Sequence, residues 1–244
     1  MEFFFSGSWD RVTCDHVIAA TVRAVLATFA GKAVLNDVEN AQAARFVRTE
    51  DGERYHAAHL LKRHLLGRAS GLSPQDLHFD RQSGGKPFLL GEERLDFNLS
   101  HGGDWVIAGL SWSGRIGVDV EAERPAEFWR EIAGSFLAPA ELAVADGDDF
   151  LKIWTAKEAG LKAHGAGFAI MPNAITVADG GDGFSLAIEA MKLCGVWQRL
   201  DETHMLAIAA SARLPQIAVC RNTDDLQAAL GSIRPPVPGL PASR

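Results

Sequence analysis

The most regular pattern of this 244-residue chain lies between Leu95 and Glu121, where two stretches with apolar residues at every second position flank a continuous apolar run. Leu95, Phe97 and Leu99 alternate with polar neighbours, which predicts a strand over 94–99 that ends at Ser100-His101 and turns at Gly102-Gly103. The apolar run from Trp105 to Leu110 is expected to pair back antiparallel, and Ser113-Gly114 to turn the chain into a third strand. In that strand Ile116, Val118 and Val120 alternate with Gly117, Asp119 and Glu121, so the two carboxylates project side by side from one face. Residues 15–30 and 52–66 read as amphipathic helices, the second with Ala57, Leu61 and Leu65 on one face and Gly67 just past its end. Helical patterns return at 126–145 and 150–164; in the latter Leu151, Trp154 and Leu161 mark the inward stripe, with Trp154 a core anchor. Strands follow near 173–178, 184–190, 195–200 and 204–211, and the run DGGDG at 179–183 predicts a hairpin turn. Helix followed by meander occurs twice, which permits an α+β chain of two similar halves meeting near residue 113.

Composition narrows the class. A chain of this length with 47% apolar residues can bury one large core or two modest ones. Cys14, Cys194 and Cys220 are scattered without a CxxC pair, which argues against a zinc site or disulfide framework and for a reducing compartment. The start, MEFFFSGSW, lacks the basic region of a secretory signal, and the apolar stretch from Val17 to Phe29 is interrupted by Arg23. A cytoplasmic protein without a membrane span is therefore expected. The net charge of −7 speaks against general nucleic-acid binding. Locally, residues 45–68 gather Arg45, Arg48, Arg54, Lys62, Arg63 and Arg68 against Glu50, Asp51 and Glu53. Such a patch would steer an acidic partner, the plainer alternative being a solvated helix face. The last segment, SIRPPVPGLPASR at 232–244, has four prolines and reads as an extended or mobile tail.

Candidate chemistry lies in two acidic motifs. Glu158 falls on the inward stripe of its helix, where a carboxylate is costly to bury unless a positive charge meets it. Lys162 is one helical turn further on and can reach the same place. Asp119, Glu121 and Glu158 together form an oxygen-rich set suited to a hard cation such as Mg2+, whose shell water and a substrate phosphate would complete. That combination points to a metal-assisted reaction on a phosphate ester. Each motif also has a plainer reading: Glu158 and Lys162 form an i,i+4 pair worth only ~0.2–0.5 kcal/mol on a surface helix, and Asp-x-Glu is often the wet face of an edge strand. Ser100 and His101 alone are weak signals, since no G-x-S-x-G elbow surrounds Ser100 and a loop histidine is common.

Four motifs occur in order: GGKPFL at 84–89, FNLSH at 97–101, IGVDVE at 116–121 and WTAKEAGLKAHGAG at 154–167. With RFVRTEDGERYHAAHLLKRHLL at 45–66 they make residues 35–212 resemble the 4′-phosphopantetheinyl transferases of the larger Sfp type. The resemblance implies an α+β fold of two pseudo-twofold-related halves, each a helix packed on a small antiparallel sheet. Residues 1–112 would form the first half, 113–231 the second with the carboxylates, and 232–244 the tail, with the cofactor between the halves. It further implies transfer of the phosphopantetheine arm of coenzyme A to a serine of an apo acyl or peptidyl carrier protein, with release of 3′,5′-ADP.

Carried over by motif, Asp119, Glu121 and Glu158 match the family's Mg2+ ligands, with Asp119 also beside the cofactor and Glu158 a candidate base for the carrier serine. Lys162 matches the lysine that contacts the diphosphate, and Gly85, Lys86 and Pro87 match the segment beside the adenine. Ser100, His101 and Arg54 match contacts to the cofactor's phosphates, His101 and Arg54 positioning the 3′-phosphate. The chain departs from the family at 34–44, VLNDVENAQAA, which holds no Lys or Arg. Weaker 3′-phosphate recognition, and a relaxed preference toward dephospho-coenzyme A, are expected from that departure. The resemblance favours carriers of polyketide, fatty-acid or nonribosomal-peptide synthases and a monomer that completes its own site. Two rivals remain: a metal-dependent hydrolase of coenzyme A or nucleotide diphosphates, with water as nucleophile, and a non-catalytic carrier-binding relative, against which the intact acidic trio argues.

Overall fold

A computed structural model describes residues 15–145, 147 and 149–235, and in it two sheets lie face to face between two long helices. In chain order the first elements are β1 (His16–Thr21), α1 (Val22–Thr28), α2 (Asp37–Ala43) and α3 (Thr49–Ser70). Next come β2 (Phe79–Arg81), β3 (Pro87–Leu89), β4 (Asp96–Gly102), β5 (Trp105–Ser111) and β6 (Ile116–Ala122). Helices α4 (Ala126–Phe136), α5 (Pro139–Leu142) and α6 (Asp149–His164) follow. The chain continues through β7 (Ala178–Asp179), β8 (Phe184–Ile188), β9 (Met191–Arg199), β10 (His204–Ala210), β11 (Gln216–Cys220) and α7 (Thr223–Ser232). One sheet has the order β11-β1-β5-β4 and the other β6-β10-β9-β8-β7, while β2 and β3 make a separate hairpin.

Three apolar layers hold these elements together. Ile18, Ala20, Phe97, Val106 and Leu110 on one face of the first sheet pack against Leu61 and Leu65 of α3. The opposite face, Val17, Ala19 and Ile107, meets Ile116, Val118, Val120, Leu206 and Ile208 of the second sheet. Behind that sheet Ala156, Ala159 and Ala163 of α6 lie on Leu186, Ile188, Ala207 and Ala209. Strands β1, β5 and β6 are thus covered on both faces. No helix among the described residues is long and apolar enough to cross a membrane.

Several expectations needed correction, each for a physical reason. Residues 16–21, read as helix, form the central strand β1, because a short apolar run buried on both faces has no period to reveal it. The helix starts only at Val22, where Thr21 Oγ1 accepts from Ala24 N at 3.2 Å. Helix α3 runs through Gly67 and stops at Gly71, which adopts the left-handed region with φ 75°. Gly67 is needed for space: a Cβ there would stand 2.9 Å from Leu72 O and 3.3 Å from Pro74. The helix expected over 126–145 is broken, α5 beginning at Pro139. Of the expected strand 173–178 only Ala178 pairs with β8, together with Asp179, across the anticipated Gly-rich hairpin.

The meander is also split. Strands β4 and β5 pair as expected, but β6 leaves them and pairs antiparallel with β10 in the second sheet. At the C-terminal side, β11 returns to the first sheet and lies parallel to β1, and α7 buries Leu226 and Leu230 in the first core. The expected boundary at 113 therefore does not enclose residues 216–232, and the first sheet is not wholly antiparallel. Cys14, the segment MEFFFSGSW and the tail beyond Pro235 lie outside the described residues.

Candidate active site

Strand β6 is an edge of its sheet, and its outward N–H groups need partners. Alternate side chains of β4 supply them. Asp96 Oδ2 accepts from Ile116 N at 2.7 Å, Asn98 Oδ1 from Val118 N at 2.9 Å, and Ser100 Oγ from Val120 N at 3.3 Å. These three rungs join the two sheets where β5 and β6 do not pair. They also bring Ser100 Oγ within 3.1 Å of Asp119 Oδ1, to which it donates.

Helix α6 closes over the other side of β6. The approach is possible because residue 117 is glycine: a Cβ there would fall 1.9 Å from Ala159 O. This contact sets Glu158 and Lys162 over the face of β6 that carries Asp119 and Glu121. Lys162 Nζ donates to Asp119 Oδ1 at 2.6 Å and to Ser100 Oγ at 3.1 Å. Trp154 Nε1 donates to Glu121 Oε1 at 3.3 Å while its ring packs on Phe136 and Trp129. Trp154 is the anticipated core anchor and also orients a site carboxylate.

These side chains surround one cavity of about 340 Å³. Asp119, Glu121, Glu158, Lys162, Ser100 and His101 all line it, and α3 adds Tyr55 and His59. Burial, and then the neighbouring charge of Asp119, pushes the Glu121 carboxyl above its ordinary value against the pull of Trp154 and Lys162. Glu158 is raised for the same two reasons, with Glu121 adding to the effect and Lys162 opposing it. Asp119 is 4% exposed, and its Oδ2 has no hydrogen-bond partner among the described residues. Three carboxylates face a single lysine ammonium, so the wall has more negative charge than the fold itself neutralises.

The donor set therefore suits a hard dication in charge and in chemistry. Among the described residues, however, no three of His, Cys, Asp or Glu converge closely enough to hold a metal ion. The expectation of carboxylates meeting at one point is thus met only as a shared wall. Lys162 sits directly on Asp119, and Trp154 holds Glu121.

Other expected site residues are placed differently. Lys86 Nζ is buried against Asp96 Oδ2 at 2.5 Å, Ile116 O at 2.9 Å and Ala163 O at 3.3 Å. Burial lowers it to about 8 despite the opposing charge of Asp96. Its ammonium clamps β4, β6 and the end of α6, and neither it nor Gly85 nor Pro87 lines the cavity. Arg54 is also outside the lining: Nε donates to Gly103 O at 2.7 Å and Nη1 to Asp51 at 2.8 Å. The basic patch over 45–68 is divided, since Lys62 and Arg63 are 6% and 1% exposed and bind Glu39. Arg45, Arg48 and Arg68 stay at the surface.

Sequence reasoning missed Tyr55, His59 and Lys157. The first two are spaced four apart on α3, a spacing that gave their shared face but not what it faced. Lys157, adjacent to Glu158, is fully buried; it pairs with Glu141 and donates to Phe136 O at 2.7 Å, fixing α6 to the end of α4.

Comparison with known proteins gives two adjoining matches. Residues 26–111 match the family model described as 4′-phosphopantetheinyl transferase, N-terminal, and residues 115–209 that of the 4′-phosphopantetheinyl transferase superfamily. A putative 4′-phosphopantetheinyl transferase of Synechocystis is 37% identical over 147 residues, 57% of this chain and 60% of that protein. The 4′-phosphopantetheinyl transferase Sfp of Bacillus subtilis is 32% identical over 140 residues, 54% of this chain and 61% of that protein. The 4′-phosphopantetheinyl transferase AcpT of Salmonella typhimurium is 35% identical over 138 residues, 54% of this chain and 67% of that protein. The chain thus spans about three fifths of the length of the first two.

Proposed function

We propose that this chain, which belongs to the 4′-phosphopantetheinyl transferase superfamily, transfers the phosphopantetheine arm of coenzyme A to a serine of an apo carrier protein. The observation that carries the reading is the cavity in which Lys162 bridges Asp119 and Ser100 beneath Glu121 and Glu158. Family membership supplies the reaction class, and the cavity supplies chemistry that fits it.

The reaction needs an alcohol to lose its proton and a diphosphate to gain charge as 3′,5′-ADP leaves. Glu158 is the base in this reading: burial and Asp119 raise its proton affinity, which favours accepting a proton from the serine hydroxyl. The serine oxygen forms its bond to the phosphorus next to pantetheine, and the anhydride bond to 3′,5′-ADP breaks. Lys162 keeps its ammonium at the cavity wall and donates to the diphosphate oxygens, an interaction that strengthens as charge develops on them. Ser100 holds Lys162 and Asp119 in register. Asp119, Glu121 and Glu158 would bind Mg2+, which when bound offsets the charge of the diphosphate. Lys86 acts as the clamp between β4, β6 and the end of α6.

The carrier is an acyl or peptidyl carrier protein or domain of a fatty-acid, polyketide or nonribosomal-peptide synthase, met by a cytoplasmic monomer. Following 3′,5′-ADP release from coenzyme A and Mg2+, with and without an apo carrier, tests the reading. Release that requires the carrier is expected. Equal release in its absence would make the protein a hydrolase.

A further inference from the structure

Helix α3 lines a second groove that the proposed chemistry does not use. Tyr55, Ala58 and His59 line the candidate active site, whereas His64, Arg68 and Gly71 fall on the opposite side of the helix. There they meet the end of α7 across a groove of about 750 Å³, more than twice the volume of the candidate site and within the range of small-molecule sites. Leu72, Pro74 and Ile233 give it an apolar surface, and Arg68 and Arg234 give it charge.

That charge is one-sided. The lining holds two arginines and a histidine and no carboxylate, in a chain whose net charge is −7. Lys32 stands beside it: its ammonium lies 5.5 Å from the centroid of the Phe29 ring, which stacks on His64. Burial, followed by the charges of Lys32 and Arg68, pushes His64 down to about 4, so the imidazole is neutral at pH 7 and the three cations set the field. Neither the Lys32 ammonium nor the Arg68 guanidinium has a hydrogen bond or ion pair among the described residues. Arg234 meets only the carbonyls of Gly231 and Ile233 there.

Two features distinguish the groove from an ordinary solvated helix end. Arg68 is not needed as a cap, because the last turn of α3 is closed by its own groups: Gly71 N donates to Gly67 O at 2.9 Å and Ser70 Oγ to Leu66 O at 2.8 Å. Gly231 lies in the last turn of α7, where glycine is a poor helix former, yet its φ is not positive and a Cβ there would meet no described atom within 4 Å. Neither backbone geometry nor packing calls for this glycine, and the room it leaves opens into the groove. We propose that the groove is a second binding site, for a small ligand that carries a phosphate dianion on an apolar body. Arg68 and Arg234 hold the phosphate within the field of Lys32, and the body lies on Leu72, Pro74 and Ile233. Phosphate is favoured over a monocarboxylate because it offsets two of the three charges rather than one. The assignment does not depend on the transferase reading.

Titrating the 15N-labelled protein with inorganic phosphate and with adenosine 5′-monophosphate, followed by NMR, reads the groove through the amides of Gly71 and Gly231. Both amides are expected to shift and saturate, the nucleotide binding about tenfold more tightly through the apolar area it buries. Equal affinities would overturn the organic ligand and leave free phosphate as the occupant. Arg68→Ala should weaken both compounds by about 10- to 100-fold, the range of a hydrogen bond to a charged group. Gly231→Leu fills the groove from a helix that accepts leucine better than glycine. It should abolish the nucleotide-dependent shift of Gly71 without lowering the melting temperature. Absence of a saturable shift at either glycine, or shifts that survive both substitutions, would overturn the site and leave the transferase reading intact.

Discussion

Glu158 is a half-buried carboxylate that shares its cavity with two others, and its raised proton affinity suits a group that must take a proton from an alcohol. Glu158→Gln preserves the shape and removes both the base and one negative charge. Arm transfer in single-turnover kinetics should fall by about 10²- to 10⁴-fold, with carrier affinity little changed; a normal rate would refute the assigned base. A second residue bears on stability alone. His64 stacks on Phe29 with centroids 3.7 Å apart, and burial, helped by Lys32 and Arg68, lowers it from 6.5 to about 4. Its unfolded form therefore binds the proton first, so its contribution is complete above pH 6.5 and is lost as pH falls toward 4. The loss should reach about 1–2 kcal/mol at pH 5. In His64→Phe the difference in melting temperature between pH 7 and pH 5 should shrink, and an unchanged difference would exclude this origin.

Single residues were legible in the sequence to the extent that their partners were close along the chain or shared a motif. The approach of Lys162 to the Asp119 strand followed from helical spacing. The clamp made by Lys86 left no trace in the sequence, because its three acceptors, Asp96, Ile116 O and Ala163 O, come from distant segments. The cations at 62 and 63 looked like surface charge for the same reason: Glu39, which neutralises them in part, lies more than twenty residues away.

Elements place these side chains, and the contact of α6 with β6 is the one on which the cavity depends. Gly117 lets Ala159 O approach to a distance that no Cβ could share. In Gly117→Ala helix α6 must move outward, taking Glu158 and Lys162 away from Asp119. Stability should fall by about 1–3 kcal/mol and transfer should be lost at temperatures where the protein is still folded. Chemical denaturation and activity read on the same preparation check both; unchanged activity would mean that the pairing of α6 and β6 does not set the site. The strands of this region were evident from alternation. Their division between two sheets was not, since rungs from the side chains of Asp96, Asn98 and Ser100 to the β6 backbone look like ordinary polar positions on a strand.

Over the whole molecule, the chain returns to its beginning. Strand β11 pairs with β1, and α7 covers the first core with Leu226 and Leu230, joined by Ile233 just past its end, although the matched family segments end at residue 209. Residues 216–231 were assigned by sequence to the second half, because a parallel pairing with a strand two hundred residues earlier leaves no local trace. Truncation after residue 213 should remove these three side chains, each worth about 1.5–3 kcal/mol when fully buried, and leave the core they cover open to water. The shortened chain should then show no cooperative unfolding transition by calorimetry, and a transition like that of the full chain would contradict this role for the C-terminal segment.

The central claim is that one cavity, with its carboxylates on β6 and α6 and its lysine on α6, moves the phosphopantetheine arm. Its most direct test is the intact mass of an apo acyl carrier protein after incubation with the protein, coenzyme A and Mg2+. Gain of one phosphopantetheine arm, abolished by EDTA and by Glu158→Gln, is the predicted result. Carriers that keep their apo mass across acyl and peptidyl types, while coenzyme A is consumed, would contradict it.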